Sequence, residues 1–236
     1  MTNPVFLSHP LSRYEKLLGA AWLLFETLLF PRLLQLLNLL LPIPLPQAEV
    51  NFVFFAVNFA VAIFVLRSFL WGQLKIALQY TEKVLTAAVL GFVAYWALNF
   101  LVSGLILYLD PDFTSVNDDA VAELVAQNFP LMFFGTVVLV PVAEECLFRG
   151  IVFRGLYDRS HVLAWIVSAS LFALVHILGY IDSIRSTQLL LCFLQYIPAG
   201  ICLAASYRLS GSILSPILIH AAVNFVGMMI LRCYYA

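Results

Sequence analysis

The residues able to do chemistry sit where the chain is least polar. Glu144-Glu145-Cys146-Leu147-Phe148-Arg149 puts two adjacent carboxylates and a guanidinium inside a largely apolar run from Phe129 to Leu156. An ionisable group in hydrocarbon costs about 2.5–3.5 kcal/mol on insertion scales, so such groups are rare there and usually functional. Glu145 and Arg149 are four apart, with the acid first, the favourable order for an ion pair on one helix face. Glu144 points about 100° away from that face and has no partner in its own helix. His220 and Asn224 are also four apart, as are Phe172 and His176, so each pair shares a face.

An unpaired glutamate beside imidazoles suits general-base chemistry on water. A histidine can hold or share that water. Imidazole and Asn N–H groups can donate to the oxyanion of a tetrahedral intermediate. Base, water and oxyanion donors together describe amide hydrolysis without a covalent enzyme intermediate. A Glu-His-His zinc site at Glu144, His176 and His220 is a second use of the same groups, although HExxH is absent. Ser168 and Ser170 lie near His176 in sequence, but no buried Asp completes a triad with them.

These groups need apolar helices to carry them. Of 236 residues, 63% are hydrophobic and 11% charged, against roughly 25% charged in a soluble domain. Several apolar runs reach the roughly 20 residues that span a bilayer. The runs are continuous rather than alternating, which excludes a barrel. The expected fold is an all-α, polytopic transmembrane bundle of seven or eight spans with a polar cavity among the C-terminal helices. It forms a single membrane domain over residues 1–236, with N-terminal spans to 128 and core spans over 129–234. The spans are expected near 17–41, 50–71, 84–109, 129–157, 162–180, 189–207 and 213–234. Pro31-Arg32 kinks or breaks the first span, and Glu26 and Arg32 read as a polar pair at that kink or as partner-facing residues. Residues 110–128 hold five acids and no base and suit a surface helix. The first apolar run is too long for a signal peptide and lacks a small-residue cleavage site, so no cleavable leader is expected. Cys146, Cys192, Cys202 and Cys233 are scattered through apolar segments and read as small buried hydrophobes. A net charge of −1 gives no footing for nucleic acid.

Basic residues concentrate in cytoplasmic loops. With seven spans, Arg13, Lys16, Arg67, Lys75, Lys83, Arg154, Arg159 and Arg208 fall on one side, and Arg185 and Arg232 on the other. That split predicts a multi-pass plasma-membrane protein with a cytoplasmic N-terminus and membrane lipid as its surroundings. Counted along their helices at about 1.5 Å per residue, Glu144, His176, His220 and Asn224 come out within about one turn of a common depth. Three helices thus bring four polar groups to one level, which favours a functional cavity over isolated interhelical hydrogen bonds. A transporter would show inverted repeats and broken helices in both halves, and none is seen. A membrane scaffold would tolerate loss of Glu144.

Glu144-Glu145-Cys-Leu-Phe-Arg149 resembles the EExxxR motif of the CAAX protease and bacteriocin-processing (CPBP, or abortive-infection) family of intramembrane proteases. Phe172-Ala-Leu-Val-His176 resembles that family's FxxxH motif, and His220-Ala-Ala-Val-Asn224 its HxxxN motif. The three occur in the family's order over about 129–234. The resemblance implies a helical bundle with a cavity open to the cytosol and a glutamic, metal-independent mechanism with no cofactor. It implies Glu144 as the catalytic glutamate, His176 as its partner on water, and His220 and Asn224 on the oxyanion. Glu145, Arg149 and Phe172 support them. The implied substrate is a membrane-associated or lipidated peptide or protein.

Overall fold

The computed structural model describes Phe6, Ser8 and residues 10–235, the side chains of 234 and 235 excepted. The start of the expected polar leader lies outside the described residues. Among those described the chain is helical and has no strand, so the all-α bundle expected from the apolar runs is found.

The first apolar run forms two helices, α1 (Arg13–Leu28) and α2 (Phe30–Leu39), bent by 52°. Ser12 and Glu15 cap the start of α1 reciprocally. Pro31 sits in the first turn of α2, where its missing N–H costs nothing, and Arg32 Nη1 donates to the Leu28 carbonyl beside the break. Asn38 closes the proline-rich turn by bonding Leu45 through both backbone groups.

The second span is shorter than expected. α3 (Gln47–Val65) ends at Leu66, and Arg67–Gln79 forms a separate helix, α4. With Arg67, Gln73 and Lys75, α4 is too polar to extend the span. It buries Phe69, Gly72, Gln73, Ile76 and Ala77, one helical stripe, against the end of the bundle. Gln73 Oε1 there accepts from the Ile213 N–H at 2.8 Å.

α5 (Thr81–Leu109) spans next, and the acidic stretch forms the expected surface helix, α6 (Val116–Gln127). Then come α7 (Phe129–Tyr157), α8 (His161–Ile177, continued by a 3-10 turn to Tyr180), α9 (Ser186–Ser210) and α10 (Leu214–Tyr235). Among the described residues six helices are long and apolar enough to cross a membrane, or seven spans if the bent pair counts as one, and eight is not reached. α8 crosses α9 closely at Gly200, where an added Cβ would lie 2.8 Å from the Ala169 Cα. Small residues there let the two backbones approach, as in other membrane helix pairs.

The two ends differ. One carries Phe6, Phe153, Tyr157 and Tyr207, with the Phe6 ring 4.9 Å from both tyrosine rings. It also holds the Phe69 N–H bond to Glu15 and the turn from α9 to α10. The other gathers the start of α3, α6, the end of α8 and the start of α9, joined by bonds such as Gln195 to Asp118.

Candidate active site

α7 is irregular for a reason visible in its residues. The Val140 N–H donates to Gly135 O, five residues back, within a π-helical segment over Gly135–Leu139. Thr136 O is then offered residue 141, a proline without an N–H. The Asn224 side chain supplies the missing donor, its Nδ2 2.7 Å from Thr136 O. A second π-helical segment, Cys146–Arg154, begins right after Glu145. Ser168 Oγ donates to the Phe148 carbonyl within it at 3.0 Å, so that hydroxyl is committed to the backbone. Such widened turns often sit at functional sites.

The expected Glu145–Arg149 pair is present and dry. Arg149 Nε lies 3.1 Å from Glu145 Oε2, and both side chains are fully buried. Arg149 Nη2 also donates to the carbonyls of Ala199 and Gly200 at 3.3 Å. Its guanidinium stacks 4.4 Å over the Phe172 ring, which packs at 4.7 Å on His176 as well. The spacing did not reveal a second partner of Glu145: its Oε1 lies 2.9 Å from His220 Nδ1. Glu145 therefore ties α7 to α10 as well as neutralising Arg149.

Glu144 faces the other helices, as its position one residue along requires. Its Oε2 is 4.0 Å from His176 Nε2 and 4.0 Å from His220 Nε2, and it is buried with no hydrogen-bond partner in the protein. His176 Nδ1 is 2.7 Å from the Phe172 carbonyl, which can only accept, so Nδ1 carries a proton. His220 Nδ1, against the arginine-paired carboxylate of Glu145, carries one by the same logic. In the neutral rings both Nε2 atoms are then acceptors turned toward Glu144. The His176 ring stacks on Tyr196 at 4.2 Å.

Of the four candidate residues, Glu144, His176 and His220 converge, and Asn224 stands one turn beyond His220 on the carbonyl of Thr136. The candidate zinc set is the same Glu144, His176 and His220, yet among the described residues no three His, Cys, Asp or Glu side chains form a group able to hold a metal.

Glu144 and His176 open onto a cavity of about 220 Å³. Its far wall holds Glu26, whose Oε2 accepts from Asn58 Nδ2 at 3.4 Å, while Trp22 Nε1 donates to Asn58 Oδ1 at 2.9 Å. Glu26 therefore faces the cavity of Glu144, held by Asn58, and is not paired with Arg32, one of the two readings the sequence left open. Its one signal was an acid in an apolar span. A second cavity of about 480 Å³ shares Thr27, Pro31, Phe54, Asn117, Val175 and His176 with the first, and continues between α2 and the end of α8 to Gln35, Gln47 and Tyr180.

Residues 126–226 match the family model described as Type II CAAX prenyl endopeptidase Rce1-like. The UPF0177 protein YxdF of Lactococcus lactis subsp. lactis (strain IL1403) is 24% identical over 159 residues, 66% of this chain and 82% of its own. No solved structure matches. The matched region contains all three motifs, so residues 126–226 of this integral membrane chain are similar to the Rce1-like CAAX prenyl endopeptidases that those motifs resemble.

Proposed function

We propose that the chain is an intramembrane endopeptidase that hydrolyses a peptide bond of a membrane-associated or lipidated polypeptide with water activated by Glu144. The observation that carries this reading is the orphan Glu144 Oε2, 4.0 Å from two imidazole Nε2 atoms. That spacing is too long for direct hydrogen bonds and suits one water that donates one hydrogen to Glu144 and the other to the His176 Nε2. Glu144 takes a proton from the water as its oxygen bonds to the carbonyl carbon, then returns it to the leaving nitrogen as the C–N bond breaks. His176 orients the water. His220 Nε2 donates to the oxyanion when its ring carries a second proton. Asn224 adds a second donor through the Nδ2 hydrogen not used on Thr136. Arg149 pairs with Glu145 and holds it in place. No step is routed through a metal. The eight-to-two distribution of basic residues supports a plasma-membrane orientation with the N-terminus in the cytoplasm.

The test compares membranes carrying the wild type with membranes carrying Glu144→Gln, with peptidomics to find peptides made only by the wild type. Glu144→Gln keeps the shape and removes the base. Peptides that vanish with it identify activity and substrate together. Identical peptide sets, with Glu144→Gln still complementing a deletion phenotype, make the protein a scaffold. Activity lost to a strong chelator and restored by zinc overturns the metal-free mechanism.

A further inference from the structure

Glu26 is the carboxyl of this cavity that the proposed hydrolysis does not use. It stands on α1, half-buried, on a wall of the space that also holds Glu144 and His176. Polar side chains of two apolar helices hold it there. Trp22 Nε1, which can only donate, bonds Asn58 Oδ1 at 2.9 Å. That contact turns the Asn58 amide so that its Nδ2 donates to Glu26 Oε2 at 3.4 Å. Thr27 Oγ1 donates to Glu26 Oε1 at 3.1 Å. Every partner of Glu26 is therefore neutral, and each carboxyl oxygen keeps room for a further donor.

The protein brings no cation to it. Among the described residues that line this cavity there is no Lys or Arg, and Arg32, on the adjoining cavity, donates to the Leu28 carbonyl. A carboxylate without a counter-charge is costly in apolar surroundings, and a cation brought by a ligand relieves that cost. Glu144 is turned to the two imidazoles, which leaves Glu26 as the carboxyl open to such a cation. The space measures about 220 Å³, below the roughly 300–1,000 Å³ of a small-molecule site, so it takes a side chain rather than a whole ligand. Phe54 and Phe55 on its wall suit an aliphatic stem, and aromatic faces also attract a cationic head. A long apolar stem with a charged tip describes lysine and arginine.

We propose that Glu26 is a specificity-determining residue: the cavity takes a lysine or arginine side chain of the polypeptide next to the bond to be cut, with the stem against Phe54 and Phe55 and the cationic head on Glu26. This deepens the protease reading and rests on it for the word cut, while the subsite itself is a matter of binding.

Binding can be read without turnover on Glu144→Gln, which removes both the base and the other carboxylate of the cavity. The probes are fluorescent peptides of one apolar sequence in which a single Lys is walked through the central positions, each matched by a norleucine twin. They are added to the full chain in lipid nanodiscs. At one register the Lys peptide should bind tighter than its twin by about 10–100-fold, as for a hydrogen bond to a charged group. Adding Glu26→Gln, which keeps an acceptor for Asn58 and removes the charge, should bring the two peptides to parity. Glu26→Met replaces it if that double variant does not fold. A Lys preference at no register, or one that survives the loss of Glu26, overturns the subsite. A Glu26-dependent Lys preference in a protein that makes no Glu144-dependent peptides removes the protease reading and leaves the subsite standing. Glu144-dependent peptides cut at bonds with no Lys or Arg beside them do the converse.

Discussion

α5 and α7 are both 29 residues long, with mean hydropathies of 1.9 and 1.8 in their most apolar windows. Half of that window is buried in α7 and 6% in α5. Apolar content alone therefore cannot say which helix is central. Lipid is as good a surrounding for leucine as another helix is, so packing between membrane helices comes from small residues and polar partners. α7 has both: Gly135, Ala143 and Gly150 for close approach, and Glu144, Glu145 and Arg149 that must be taken out of lipid. α5 presents Val89, Leu90, Val93, Phe100, Leu101 and Leu105 to its surroundings.

The comparison breaks most sharply at Glu144. If α7 is the reacting helix, Glu144→Gln should lower turnover by about 10²–10⁴-fold, the range for a lost general base, with unchanged expression and melting behaviour. Gly104→Ala on α5, where an added Cβ meets nothing within 4 Å, is the matched control and should leave peptide release at the wild-type rate.

Arg149→Ala should cost on the order of 3–5 kcal/mol, because it leaves Glu145 buried without its counter-charge. Yield and melting temperature of the detergent-purified protein measure this. Normal stability with lost activity would instead make Arg149 a group that acts on substrate directly.

Asn224→Ala removes the donor that completes the backbone at Pro141 as well as a proposed oxyanion donor. As an oxyanion donor it should cost about 10²–10³-fold in turnover. A lower melting temperature with turnover per folded molecule unchanged would leave Asn224 a purely structural bond to Thr136.

The smallest effect sharpens the packing half of the contrast. Gly200→Leu, at the crossing with Ala169, should destabilise by about 1–3 kcal/mol, as overpacking does. Gly104→Leu on α5 should stay within about 0.5 kcal/mol, as for exposed sites. Equal shifts in the two melting curves would mean that the close crossing does not contribute to stability.

The spans were legible because hydrocarbon leaves a helix no alternative to satisfying its backbone internally. Glu145 with Arg149 was legible because i,i+4 spacing on one helix is local. Less was legible where partners lie on different helices. The His220 bond to Glu145 joins residues 75 apart, and the turn of Glu26 toward the cavity follows from Asn58, 32 residues away. The break at Leu66 had no proline to announce it. The π-helical turn at Gly135 did carry a signal, Pro141 five residues after Thr136, but only Asn224 on another helix shows why the widened turn is sustained.

By itself, then, the sequence determined that this is a helical membrane protein, which segments cross, and which acids, imidazoles and amide are stranded in apolar helices. Those properties depend on local composition and on the period of a helix. Tertiary structure alone decided that Glu144 stands between two imidazoles while Glu145 serves Arg149 and His220. It also decided that Glu26 shares the cavity. Each of these depends on how helices far apart in the chain rotate and cross, and that is set by close contacts such as Gly200 on Ala169 and by buried polar groups finding partners on neighbouring helices.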